Sequence, residues 1–449
     1  MMCQAIPWRS PAAAFAPLAG MTHAHMLHAG DLNDADGWSI IAAFPVDIIT
    51  AREGQDACPF ARLQTMMAAR ALPINGEHKA LPFMSGVLGY VGYEAARYLD
   101  RDFELHHSPY ALPDLCFGVY DAAILLSRNK QDAYAVGRNK GAVENLLKAI
   151  GAEELSSATL PRFHSMASNK SYTDYISIIK DVRMNIVDGH YYQANIAQCL
   201  SAQSDDTIRG FDVFRLLAGR SDARFGALLQ FDEGDVISNS PERFFSIDHD
   251  ESCRRIAVEP IKGTRPRRDD PREDSAMRTA LSLDAKDRAE NIMIVDLMRN
   301  DLSKICCDHT IVEDAICELM SLKNVHHLVS KVGGALRNDA TIKTVFEALF
   351  PCGSITGAPK AAAMEAIAGF EGTGRGPYCG AIGYWDDRGC ADFSVAIRTM
   401  MTNKNRNQLS IPVGGGITLR SEPTSEYEET LAKAKAAMTL LDLHGDDLL

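Results

Sequence analysis

Lys262 lies in Pro260-Ile261-Lys262-Gly263-Thr264, inside an extended stretch that also carries Val258. A lysine amine attacks carbon only when uncharged, a state that burial or neighbouring cations favour. Arg254, Arg255, Arg265, Arg267 and Arg268 are such cations nearby in sequence, and a solvated surface lysine is the competing explanation. Ser240-Pro241-Glu242-Arg243-Phe244-Phe245 closes a predicted strand. A glutamate in a partly desolvated pocket stays protonated near neutral pH and can act as a general acid. A surface Glu242–Arg243 pair at a turn explains the same residues without chemistry. Glu290 borders the apolar run Ile292 to Met298, while Glu426 and Glu429 stand three apart with Lys433 one turn further on. Three carboxylates from two helices, with positions left open, suit magnesium. An acidic first turn complementing the helix dipole, with a Glu429–Lys433 pair, is the plain alternative.

Other segments could hold a ligand. Gly353-Ser354-Ile355-Thr356-Gly357-Ala358-Pro359-Lys360 puts loop glycines before a helix whose first position suits Pro359. Free N–H groups there would suit a carboxylate, and a capped helix start is an equal local explanation. In Phe393 to Met400, Phe393, Val395 and Ile397 form an apolar face, with Arg398 opposite among Ser394 and Ala396. Small neighbours leave room for a planar carboxylate on a guanidinium. Val413-Gly414-Gly415-Gly416-Ile417 allows close backbone approach, or marks a bulge.

These residues need elements to hold them. Ser171 starts a predicted helix with apolar Tyr175, Ile176, Ile179, Val182 and Ile186, ended by Asp188-Gly189. The strand after it alternates: Tyr192, Ala194, Ile196 and Leu200 face one way, Gln193, Asn195 and Ala197 the other. An amide-bearing face suits a polar pocket. Further strands are predicted at 225–231, 236–247, 254–262, 378–385, 391–400 and 408–413, and helices at 284–305, 323–334, 342–349, 359–370 and 424–441. Ser425 and Glu428 fit a capping box for the last helix. Residues 1–165 read as strand-rich with helices near 60–70 and 142–150, and 151–169 reads as a connector. Strands interspersed with long helices, without βαβ alternation, indicate an α+β fold.

The totals exclude other classes. A net charge of -13 argues against general nucleic-acid binding. No apolar run approaches the roughly 18–20 residues of a membrane span, and the opening residues make a poor secretory signal. Eleven cysteines without a C-x-x-C pair indicate reduced cytoplasmic thiols and no zinc site.

The order of the motifs carries more than any one of them. YQANIAQ, SPERFF, PIKGT, KDRAENIMIVDLMRNDL, GSITGAPK, GAIGYW, VAIRT, VGGGI and SEYEETLAKA follow one another as in chorismate-utilising enzymes, which this chain resembles closely over about 170–440 and more loosely from Gly86 to Arg97. Within that family it looks most like the aminodeoxychorismate synthase component I group. Lysine in PIKGT marks that group, where anthranilate synthases usually carry alanine. Gln193 stands where isochorismate and salicylate synthases place a lysine.

The resemblance implies an α+β unit in which two strand layers enclose helices (a β/α/α/β sandwich). The N-terminal region 1–165 and catalytic region 170–441 would form one compact body. It implies that Lys262 forms a covalent adduct with chorismate, that Glu242 is the acid, and that Glu290, Glu426 and Glu429 hold Mg2+. Gln193, Asn195, Thr264, Tyr384, Arg398, Gly414, Gly415, Gly416 and Lys433 would contact substrate, with Thr356 and Gly357 closing the site. The chain lacks a G-x-C-x-G nucleophile motif and ends soon after its last motif. A separate glutamine amidotransferase would therefore supply ammonia, and a separate aminodeoxychorismate lyase would consume the 4-amino-4-deoxychorismate formed. Alternatives are anthranilate synthase component I and a non-catalytic chorismate-binding subunit. Two positions depart from the family pattern: Cys199, where arginine is frequent, and Cys352, where glycine is common. The family's tryptophan-inhibition signature is not found near the N-terminus, so feedback by tryptophan is not expected.

Overall fold

The structure is a computed structural model. It describes residues 1–443 except 31–36, 55–57, 74–78, 100–103, 152–154, 156, 221–222, 250–252 and 324. Among the described residues the strands form one sheet of twelve and one of ten, and all pairings are antiparallel. The class is α+β, as expected.

Side-chain alternation shows how the layers stack. In Gly86–Val91, Val87 and Val91 enter one core while Leu88 and Tyr90 enter another. Ala381–Asp386 does the same, with Ala381 and Trp385 against Ile382 and Tyr384. One core joins Leu88, Tyr90 and Ile382 of the ten-stranded sheet to Ile40, Leu125 and Leu229 of the twelve-stranded sheet. The two strand layers therefore meet directly over this region, and helices back their other faces instead of lying enclosed between them. Pro59–Arg70, Ala285–Ser303 and Ile342–Leu349 cover the ten-stranded sheet, with Phe60 and Phe346 in ring contact at 5.3 Å. Lys140–Ile150, Gly210–Arg220 and Pro423–Leu440 cover the other.

Both predicted regions contribute to both sheets. His25–His28 pairs with Phe225–Gln230, and Gly86–Val91 pairs with Ala381–Asp386. The 151–169 connector, part of which lies outside the described residues, contains the strand Phe163–Ser168 paired to Gln193–Ser204.

Several expectations need correction. The segment 323–334 is not a helix but most of the strand Val325–Ala335. It is hydrogen-bonded to Arg254–Glu259, Ile261–Pro266 and Val312–Ser321, and is buried on both faces. A strand covered on both sides reads as an apolar run and can mimic helical spacing. The last helix is capped by Glu422, whose carboxylate accepts from Ser425 N at 2.9 Å, so Ser425 lies inside the first turn and no Ser425–Glu428 box forms. Pro359 is the N-cap of Lys360–Glu371, not its first residue. Helices Gly210–Arg220 and Pro271–Leu283 and strand Val312–Ser321 were not expected. No helix among the described residues is long and apolar enough to cross a membrane, and all eleven cysteines are free thiols.

Candidate active site

Lys262 sits in Ile261–Pro266, paired with Val325–Ala335. The register slips between Lys262 and Thr264, where Gly263 has φ +76°. Such a bulge bends the strand and re-aims the flanking side chain. Lys262 Nζ donates to the carbonyl of Ser354 at 3.2 Å. The nearby arginines are committed elsewhere: Arg265 pairs with Asp284 and Asp287, Arg267 with Asp274, and Arg254 donates to backbone carbonyls. These three are therefore not free to act as the cationic neighbours expected around the amine.

Glu242 lies just before Arg243–His249, only 4% exposed. Its backbone is pinned on both sides: Val395 N donates to its carbonyl at 3.0 Å, and its own N–H donates to Ser240 Oγ at 3.2 Å. Burial pushes its carboxyl from the ordinary 4.5 up to about 7, against the opposing pull of Ser354 and Lys262. Ser354 Oγ donates to Oε1 of Glu242 at 2.7 Å. One residue of the Gly353–Ile355 turn thus touches both the amine and the acid.

The opposite wall is the pair Gln193–Ser204 and Gln408–Ile417, in which Asn195 faces Gly416 and Ala197 faces Gly414. A side chain at Gly416 would come within 2.8 Å of Gln193 Nε2 and 3.7 Å of Lys262 Nζ, which is where the two sheets converge. Gln193 is fully buried, and neither end of its amide has a hydrogen-bond partner among the described residues; Asn195 Oδ1 is likewise unpaired. Buried amides without partners are rare and mark a place for a polar ligand. Tyr192, expected on the apolar face, precedes the strand and is 70% exposed.

This wall is held by a buried pair that the sequence did not reveal. Arg375 donates to Glu371 at 2.6 Å, to Asn195 O at 2.6 Å and to Ile355 O at 3.3 Å, while Glu371 accepts from Ala197 N at 2.8 Å. The ion pair therefore clamps the strand of Gln193 to the loop of Ser354. That loop turns carbonyls towards the neighbouring strand: Thr356 O accepts from Asn195 N and Ala358 O from Tyr192 N, both at 2.7 Å. The Thr356 hydroxyl bonds back to Cys352 O at 2.9 Å, so it is spent inside its own turn. Gly357, at φ +149°, lies against Gln193, and a Cβ there would meet Gln193 O at 2.0 Å.

The carboxylates form a neighbouring cluster. A Cβ on Gly415 would lie 3.3 Å from Glu426 Oε2, 3.8 Å from Lys433 Nζ and 4.0 Å from Glu429 Oε1. Lys433 bridges Glu429 and Gly414 O, both at 2.8 Å, and Lys286 approaches Glu290 at 3.9 Å. Burial raises the pKa of Glu290 and of Glu426, and the charge of Glu429 adds to each. Glu429 itself is raised by burial but lowered further by Lys433, for a net fall. Mutually repelling hard oxygens balanced by lysines fit a divalent cation in their chemistry. They are not drawn to one point: no group of three potential ligands close enough to hold a metal occurs among the described residues.

A third group lies at the Thr264 end. Thr264 Oγ1 and His327 Nδ1 are 2.9 Å apart, and His327 Nε2 is buried without a partner. Burial, then the charge of Arg398, lowers the His327 pKa to about 4, so a neutral imidazole lies near that guanidinium. Arg398 has φ +50° where the chain crosses from Ala391–Val395 in one sheet to Thr399–Asn403 in the other. Its guanidinium makes no ion pair or hydrogen bond among the described residues. His327 escaped the sequence reading because its segment looked helical.

Tyr384 is not brought to these groups. It faces the shared inter-sheet core, with its ring edge-on to Phe83 at 5.5 Å.

Two facing antiparallel sheets with a lysine and a buried acid where they converge, next to a carboxylate cluster, define the class: the chorismate-utilising fold. The comparisons make it specific. The family model described as chorismate binding enzyme matches residues 28–439, and the chain belongs to that family. It is 32% identical over 454 residues to aminodeoxychorismate synthase component 1 of Salmonella typhimurium, covering 97% of each chain. It is 33% identical over 453 residues to the protein of that name from Escherichia coli K12, again covering 97% of each. Anthranilate synthase component 1 1 of Haloarcula marismortui is 33% identical over 438 residues, 90% of this chain and 85% of that one. Among solved structures, anthranilate synthase component I from Streptococcus pneumoniae TIGR4 superposes with a TM-score of 0.77 at 26% identity, over 90% of this chain and 92% of that one. MenF, the menaquinone-specific isochorismate synthase of Escherichia coli, shares the fold with a TM-score of 0.75 at 16% identity, over 98% of this chain and 94% of that one.

Proposed function

We propose that this chain aminates chorismate to 4-amino-4-deoxychorismate. Ammonia would come from a separate glutamine amidotransferase, and an aminodeoxychorismate lyase would consume the product on the way to 4-aminobenzoate and folate in the cytoplasm. The observation that carries the reading is Ser354 bonded to both Lys262 and Glu242 at the convergence of the sheets. The full-length similarity to aminodeoxychorismate synthase component 1 supports it.

The chemistry is two displacements. Lys262 Nζ forms a bond to the ring carbon between the carboxylate-bearing and ether-bearing carbons. The ring double bonds shift, and the C–O bond to the ring hydroxyl breaks. Glu242, protonated up to about pH 7, gives its proton to that oxygen, which departs as water. Ammonia then adds at the vacated carbon, the double bonds shift back, and Lys262 is expelled. Gln193 and Asn195 offer unpaired amide groups to the ring substituents, and Arg398 an unpaired guanidinium to a carboxylate. Glu290, Glu426 and Glu429 would hold Mg2+, which when bound supplies positive charge for a substrate carboxylate.

Anthranilate formation is the rival reading, because a relative of that activity is equally identical over most of the chain. Lys262 favours amination through an adduct. The purified chain, given chorismate, magnesium and ammonium, should yield a product that becomes 4-aminobenzoate only when lyase is added. Anthranilate as the product would sink the proposal. Lys262→Ala should lose the covalent species while still binding chorismate, and turnover at the parent rate would remove the nucleophile role.

A further inference from the structure

Ser354 engages the two proposed catalytic side chains with two different groups. Its hydroxyl serves Glu242, while its backbone carbonyl serves Lys262. That hydroxyl has a second neighbour: Cys352 Sγ lies 3.2 Å from Ser354 Oγ. A serine hydroxyl has a single hydrogen. With that hydrogen committed to Glu242 Oε1, the thiol is the donor in the second contact. Cys352 is 2% exposed, and burial pushes its thiol up to about 12, so it keeps the proton this role needs. The three groups form one directed chain: S–H to hydroxyl oxygen, then O–H to carboxyl oxygen.

The direction has a consequence for Glu242. The Ile261 N–H also bonds this carboxyl, and Oε1 is the oxygen that accepts from Ser354, so the proton of the acid form resides on Oε2. We infer that Ser354, backed by Cys352, is a positioning residue that fixes Oε2 of Glu242 as the oxygen that delivers the proton to the departing hydroxyl. In that step the Oε2–H bond breaks, the leaving oxygen gains the proton and departs as water, and Glu242 is left as a carboxylate. The hydrogen bond from Ser354 strengthens as that negative charge develops, because donors to ionised acceptors bind more tightly than donors to neutral ones. Its contribution is therefore larger in the transition state than in the ground state, and falls on kcat more than on KM. Cys352 adds to it by polarising the serine hydroxyl. The inference rests on the proposed role of Glu242 as acid, and the experiment separates the two.

Ser354→Ala removes the hydroxyl but keeps the carbonyl that holds Lys262. The full-length chain and the variants Ser354→Ala, Ser354→Thr, Cys352→Ala and Glu242→Gln are assayed with chorismate and magnesium from pH 6 to 9, with free ammonia held constant. Thermal midpoints verify that each is folded. Ser354→Ala should lower kcat about tenfold, the order expected for one hydrogen bond to a charged group, with KM changed less than about threefold. The fall in kcat at high pH should move up by roughly half to one pH unit, because a bond that favours the ionised carboxyl is gone. Ser354→Thr should restore the parent profile, and Cys352→Ala should shift it less and in the same direction. A parent-like profile in Ser354→Ala, a change confined to KM, or Ser354→Thr behaving like Ser354→Ala would each overturn the inference. Parent-rate turnover by Glu242→Gln would instead remove the acid role itself. Anthranilate from all variants would remove the product assignment and leave the positioning result to be read from the pH profiles.

Discussion

Replacing Glu242 by glutamine should destroy activity and, as pH rises, improve the protein's stability relative to the parent. The carboxyl is buried and its pKa stands at about 7 against an ordinary 4.5. At 1.36 kcal/mol per pH unit, that gap amounts to about 3 kcal/mol. The sign follows from linkage. The folded protein binds the Glu242 proton more tightly than the unfolded chain does. This stabilising contribution is complete below about pH 4.5 and is lost as pH rises through about 7. Glutamine carries no proton to lose, so Glu242→Gln escapes that loss. The variant's stability relative to the parent should therefore rise by about 3 kcal/mol between about pH 4.5 and pH 8 and level off above. Glu94, also buried and pushed up to about 7, is present in both proteins and cancels from the difference. So does any fixed cost of the amide, since it does not vary with pH. Urea midpoints of the two proteins at pH 5, 6, 7 and 8 measure the quantity, taken as a difference at each pH. A difference that stays flat across this range would mean that Glu242 does not hold a proton in the fold, and the acid role would lose its physical basis.

Three other perturbations test the frame around the pair. Gly357→Ala should destabilise by more than about 1 kcal/mol and abolish turnover, because the methyl meets Gln193 O at 2.0 Å and φ is +149°; a variant with parent activity and melting point would show that the loop can retreat from the strand. Arg375→Met should cost about 3–5 kcal/mol by leaving Glu371 buried without its partner, and Glu371→Gln in the same chain should recover part of it; additive losses in a double-mutant cycle would refute the clamp. Glu426→Ala should weaken magnesium binding, seen as a rise of tenfold or more in the metal concentration for half-maximal rate, and unchanged metal titration would remove Glu426 from the ligand set.

How much of this was legible in the sequence depends on what kind of fact each part is. Lys262 and Glu242 could be nominated from residue type and local motif. Their meeting could not, because it depends on a bulge at Gly263 and on a loop more than ninety residues further on, where one serine offers its hydroxyl to Glu242 and its carbonyl to Lys262. Ser354 stood in view inside GSITGAPK, but nothing in that string says that its side chain, and not the following Thr356, turns towards the acid. Helices covered on one side were read well: Pro59–Arg70, Lys140–Ile150 and Ile342–Leu349 show a stripe that only a helix needs. Strands buried on both faces were read unevenly, since alternation vanishes when both sides are apolar: Phe225–Gln230 and Ala381–Asp386 matched predicted strands, and Val325–Ala335 did not. Val325–Ala335 was mistaken for a helix on that account, and His327 was lost with it.

Tyr384 failed for a related reason. In Ala381–Asp386 all six residues are buried, so the pattern shows a strand without showing which face meets the substrate and which meets the other sheet. The parity is settled by its neighbours: Ile382 and Tyr384 share the core with Leu88 and Tyr90, while Ala381 and Trp385 face the helices. A polar tip on such a residue is then no guide to function. Placing tyrosine at 384 rather than phenylalanine does not aim it at a ligand, and the same logic makes the unpaired amide of Gln193 the more informative signal. A fully buried polar group without a partner carries a desolvation cost of about 1–3 kcal/mol, and a bound substrate is what would offset it. Gln193 is more than a lysine that is missing from the isochorismate position; its amide is itself a reason for the fold to want a ligand.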